Sequence, residues 1–98
     1  MRAIKLMADY YCFPLWNNSP GEVGNIDPES LPLSSNLKAR FNDWSERYDS
    51  ILNDDDPASS GFETRKDELN FIREGEELAE CLQAELGDSY QITYHSDY

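Results

Sequence analysis

Three consecutive aspartates, Asp54, Asp55 and Asp56, form the densest set of potential metal ligands in this 98-residue chain. Asp9 and Asp49 could add further carboxylates, and such a set would suit a hard divalent cation that prefers oxygen. The spacing argues against a calcium loop of the EF-hand kind. Those loops alternate their ligands, place glycine at the sixth position and close on a glutamate at the twelfth, and NDDDPASSGFET keeps none of that register. Helix termination explains the run better, because Asn and Asp favour turns and Pro57 cannot continue a helix. His95 is the single histidine, with Ser96 and Asp97 beside it. Neighbours along an extended strand point to opposite faces, so this adjacency builds no catalytic relay. Cys12 and Cys81 stand far apart without a second sulfur or histidine nearby, and read as free thiols serving as small apolar groups. There is no glycine-rich phosphate loop, and no cofactor is expected. The residues therefore predict a protein that is not an enzyme. A small metal-dependent enzyme or metal-binding protein using Asp9, Asp49 and the aspartate run is the alternative.

Charge narrows the choice of partner. Twenty acidic residues against eight basic ones give a net charge of -12, and the aspartate run with residues 57–88 carries most of it. Nucleic acid and anionic membrane surfaces would repel such a chain, so the expected macromolecular partner is a basic protein. No run approaches transmembrane length, and MRAIKLMADYY lacks the apolar core of a secretory signal, which predicts a reducing cytoplasm. An apolar fraction of 39% is too rich for a disordered chain, and the length suits a single domain over residues 1–98.

The elements that would carry these residues are legible in the periodicity. Leu37, Phe41, Trp44, Tyr48 and Ile51 share one stripe of a helix over residues 35–52, capped by Ser34 or Ser35. Phe71, Ile72, Gly75, Leu78, Ala79, Leu82 and Leu86 share a face of a second helix over residues 64–86, opened by Thr64 with Asp67 and closed by a left-handed Gly87. Glycine inside an apolar stripe costs about 1 kcal/mol relative to alanine. Gly75 therefore predicts the close approach of the facing helix or of a ring such as Trp44. Residues 3–10 alternate as a first strand, and Tyr90, Ile92 and Tyr94 alternate as a last one. Between them Pro14, Pro20, Pro28 and Pro32 forbid a long helix, and Val23 with Ile26 could return as a short strand against Phe13 and Leu15. The expected fold is α+β: two antiparallel helices packed on a small two- to three-stranded sheet.

Two surfaces of that fold are candidates for binding. Glu74, Glu76, Glu77 and Glu80 fall off the apolar stripe of the second helix, as a solvated face or as a docking surface for a basic partner. Tyr10, Tyr11, Phe13 and Trp16 cluster around a proline-bearing turn, as a lid on the core or as interface anchors. The partner-binding set expected is Tyr11 and Trp16 as apolar anchors, with Asp54, Asp55, Asp56, Glu74, Glu77 and Glu80 as charge.

The segments KLMADY, CFPLW, GNIDPESLPLS, the Trp44, Tyr48 and Asp49 run, and DPASSGF resemble a recurring family of small, acidic, uncharacterised bacterial proteins across residues 5–62. That resemblance implies a bacterial source and supplies no activity. In size and acidity the chain is also similar to immunity proteins that neutralise bacterial nuclease toxins, a likeness of character without a shared motif. The reading that follows is a protein-binding module of the immunity or antitoxin type, a monomer or a homodimer. A homodimeric structural protein joined through an exposed strand edge is the second alternative.

Overall fold

Ile4 and Leu6 point to one side of β1 (Arg2–Leu6) and Ala3 and Lys5 to the other, and the rest of the sheet is laid against this strand. The computed structural model describes residues 2–21, 24–52 and 61–96. β1 stops short of the expected residue 10 because Asp9 turns the chain out of the ladder, its carboxylate accepting the Tyr10 N–H at 2.8 Å. The chain returns as β2 (Leu15–Asn17), antiparallel to β1 with Leu15 opposite Leu6 and Trp16 opposite Lys5. β3 (Asn25–Ile26) then places Ile26 opposite Leu15. The expected hairpin is therefore present, although Val23 lies outside the described residues and Phe13 lies outside the strand. The Asn25 side chain holds Phe13 instead, accepting from its N–H at 2.8 Å and donating to its C=O at 2.6 Å.

α1 (Ser35–Ser50) opens on Ser34, whose hydroxyl accepts the Leu37 N–H. α2 (Arg65–Leu86) opens on Thr64, whose hydroxyl accepts the Asp67 N–H. The two run antiparallel. The Glu85 carboxylate, near the end of α2, takes the Ser34 N–H at 2.6 Å and the Ser34 hydroxyl at 2.8 Å, placing negative charge at the opening turn of α1. Gly87 has the expected positive φ of 75°, but its ψ of -163° leads into a short 3-10 turn rather than a left-handed helix cap. From that turn the chain enters β4 (Tyr90–Tyr94), parallel to β1 with Ile92 opposite Ile4 and Tyr94 opposite Leu6. The sheet is thus mixed and four-stranded, ordered β3-β2-β1-β4, one strand more than the upper expectation. Both short hairpin strands join it, giving a pair that would be marginal alone two further ladders.

The core lies between the helix pair and the sheet face that carries Ile4, Leu6, Leu15 and Ile26. Trp44 is its centre. It is fully buried, stacks on Phe71 with ring centroids 4.4 Å apart and planes 4° apart, and donates its Nε1–H to the Phe71 carbonyl at 3.1 Å. Gly75 is the notch that admits this ring and one more. A β-carbon at that position would stand 2.8 Å from Trp44 Cζ2 and 2.5 Å from Tyr94 Cζ and Oη. The close approach expected at Gly75 is therefore real, and the strand residue Tyr94 fills it together with Trp44.

Candidate partner-binding surface

The turn between β1 and β2 is held in place by bonds from three directions. Met7 N–H donates to the Pro14 carbonyl at 2.9 Å, closing the base of the turn. Trp16 donates its Nε1–H to the Met7 carbonyl at 3.0 Å. Tyr10 stacks on Tyr48 of α1 with centroids 4.6 Å apart, anchoring the turn to the helix layer. The next residue, Tyr11, takes φ +59°, the one non-glycine residue with positive φ among the described residues. Left-handed backbone at such a residue costs about 1–3 kcal/mol and persists where the surroundings enforce it. Here Asp49, from the last turn of α1, accepts the Tyr11 N–H at 2.8 Å.

The consequence is a presented aromatic. Tyr11 is 72% exposed and Phe13 43%, and among the described residues only Leu69 joins them as an exposed large apolar side chain. Asp9 and Asp49 accept the successive N–H groups of Tyr10 and Tyr11, which brings two carboxylates to the backbone of the turn that carries the Tyr11 side chain. Cys12 reports their field. Its thiol is raised above the ordinary cysteine value, first by partial desolvation and then by Asp9 and Asp49.

The glutamates of α2 are distributed differently from a single acidic face. Glu74 is half-buried and pairs with Arg47 of α1, and Glu77 pairs with Arg40 at 3.7 Å, so both line the seam between the helices. Glu76 lies on the opposite flank, close enough to Tyr94 to contribute to the raised ionisation of its phenol. Glu80 is exposed. All three basic residues of α1 meet a carboxylate, since Lys38 pairs with Glu29 at 3.4 Å. Arg40 and Asp49 stand nine residues apart on α1, roughly 13 Å along its axis, so Glu77 and Tyr11 belong to different ends of the helix layer.

Of the expected binding residues, then, Tyr11 is exposed at the turn and Trp16 is half-buried on the sheet face opposite the helices, beside Lys5. Asp54, Asp55 and Asp56 lie outside the described residues. In the sequence Asp49 reads as a possible metal ligand and as part of the run with Trp44 and Tyr48, and Asn25 as a turn residue. Their roles in shaping the β1–β2 turn depend on partners 38 and 12 positions away. Among the described residues no three His, Cys, Asp or Glu side chains converge as a metal site. A cavity bounded by Met7, Ala8, Trp44, Tyr48, Phe71 and Tyr94 measures about 10 Å³, room for about one water.

A family model described as Serratia CdiI immunity protein-like matches residues 2–97. The chain belongs to that family. No curated protein matches it. The match extends beyond the segments that suggested a bacterial family, taking in α2 and β4 as well as the presented turn. No helix among the described residues is long and apolar enough to cross a membrane.

Proposed function

We propose that this immunity protein-like chain neutralises a toxin by binding it, and performs no chemistry of its own. Membership in the family over residues 2–97 is the observation that carries the reading. The net charge of -12 supports a basic target surface, such as the active-site cleft of a nuclease, which an acidic protein can approach quickly and cover. The mechanism is occlusion. Apolar anchors from the β1–β2 turn supply contact area, while Glu80 and the aspartates at 54–56 supply complementary charge. Glu74 and Glu77 are already engaged with Arg47 and Arg40, and Trp16 faces away from the helices. Such a protein works in the cytoplasm, where an incoming or newly made toxin would meet its targets.

The test is co-expression. The product of the gene adjacent to this one is produced in bacteria with and without this chain, and growth is followed. Growth arrest relieved by the chain, together with a one-to-one complex on size exclusion, is the expected result. A toxic neighbour that the chain neither binds nor neutralises would overturn the reading.

A further inference from the structure

Among the exposed surfaces, the β1–β2 turn combines a presented apolar group with a local charge that specifies what should cover it. From Lys5 to Lys38 the sequence contains no lysine or arginine, so no cation from the turn or its neighbours in sequence answers Asp9. The Asp9 and Asp49 carboxylates each give one oxygen to the turn and retain a second for another donor. The Tyr11 side chain makes no hydrogen bond or ring contact among the described residues and stands 72% exposed on the same turn.

Resting on the reading of the chain as a toxin-binding protein, we propose that the turn at residues 9–13 is the anchor of its partner surface. It receives an arginine side chain of a basic partner between the Tyr11 ring and the Asp9 and Asp49 carboxylates. An apolar partner side chain would cover Tyr11 but strip water from two carboxylates without replacing their hydrogen bonds. A guanidinium satisfies both demands. Its flat face stacks on the ring, and its N–H groups reach carboxylate oxygens in fixed fork geometry, which a lysine ammonium does not match. The turn is also ready to bind. Asp49, Asn25, Tyr48 and the Met7–Pro14 bond already hold it, so little conformational freedom is lost on docking.

The experiment titrates the full chain, labelled with nitrogen-15, with the peptide Gly-Arg-Gly, and reads amide shifts residue by residue. The neutral isostere Gly-citrulline-Gly is the control. The expected result is that the arginine peptide moves the amides of residues 9–13 and Asp49 most, and that citrulline does so far less. Tyr11→Ala should reduce the initial slope of those shifts about two- to fivefold, the size of an exposed cation–π contact. Asp49→Asn, which keeps an acceptor for the Tyr11 N–H, should reduce it while the rest of the spectrum stays in place. Shifts spread over Glu76, Glu80 and Asp67 in proportion to charge would overturn the proposal, as would equal responses to citrulline. Concentration-dependent shifts of the same turn without peptide would overturn it in favour of a second copy of the chain. The two readings fail separately. A chain that neutralises its toxin equally well as the Tyr11→Ala and Asp49→Asn variants retains the toxin-binding function and loses this anchor.

Discussion

Gly75 shows what a single missing methyl does in this molecule. Its position in α2 brings Trp44 and Tyr94 closer to the helix backbone than any side chain would permit. Gly75→Ala would gain helix propensity of about 1 kcal/mol. The collision with a fully buried indole should outweigh it, because overpacking costs about 1–3 kcal/mol in a filled core. Chemical denaturation should therefore show a net loss of stability, and a variant as stable as the parent would mean that the rings can retreat. Tyr94 adds a pH dependence. Burial raises its phenol above the ordinary tyrosine value and Glu76 raises it further, while a hydrogen bond with Ser96 works the other way. The folded chain thus holds this proton to higher pH than the unfolded chain does. The contribution is complete below about pH 10 and is lost as the pH climbs through the folded value. Tyr94→Phe should flatten the fall in melting temperature on that alkaline limb, and an unchanged limb would assign the fall to other groups.

At the scale of elements, β4 is an edge strand, and edges invite pairing with another chain. His95 N–H bonds to the Leu6 carbonyl, so in this parallel ladder the main-chain groups of Tyr90, Ile92 and Tyr94 face outward. The Gln83 side chain of α2 covers part of that edge. Its Nε2 donates to the Tyr90 carbonyl at 2.8 Å and to the Gly87 carbonyl at 3.0 Å, while its Oε1 accepts the Ile92 N–H at 3.0 Å. One side-chain amide thus takes the bonds a neighbouring strand would make, which works against a homodimer joined at this stretch. Gln83→Ala should lower stability by about 1–2 kcal/mol through the groups left unpaired. It should also produce self-association that grows with concentration in light scattering. A variant that stays at the parent's mass and stability would show that Gln83 does not guard the edge.

For the whole molecule, the decisive quantity is the imbalance of charge. The three cations of α1 are each paired with a glutamate from outside the helix, Glu29, Glu77 or Glu74, each a modest surface contact. The net charge of -12 belongs to the chain as a whole and acts at long range. In a complex with a basic toxin, association should slow on the order of tenfold or more between low and high salt, with dissociation changing less. Stopped-flow mixing at a series of salt concentrations measures this. An association rate indifferent to salt would remove steering from the mechanism and leave the apolar anchors to carry recognition.

Much of this fold could be read before any coordinates, and for a local reason. The stripes through Phe41, Trp44 and Leu78, the caps at Ser34 and Thr64, and the alternation of Ile4 with Leu6 and of Tyr90 with Ile92 and Tyr94 are written in neighbouring residues. Backbone geometry acts over three or four positions. The need for a close contact at Gly75 was legible for the same reason. The candidate binding residues were legible as types: aromatics on a turn and carboxylates off a stripe. Only the tertiary structure could separate them, sending Glu74 and Glu77 into the helix seam and leaving Tyr11 exposed on a turn whose N–H groups Asp9 and Asp49 hold. It alone decided that Tyr94 fills the notch at Gly75, that Gln83 covers the last strand and that Asn25 clamps Phe13. Those contacts arise when the last strand closes beside the first and the helix pair folds over both. A partner fixed by long-range register leaves no periodic signal in the residues it joins.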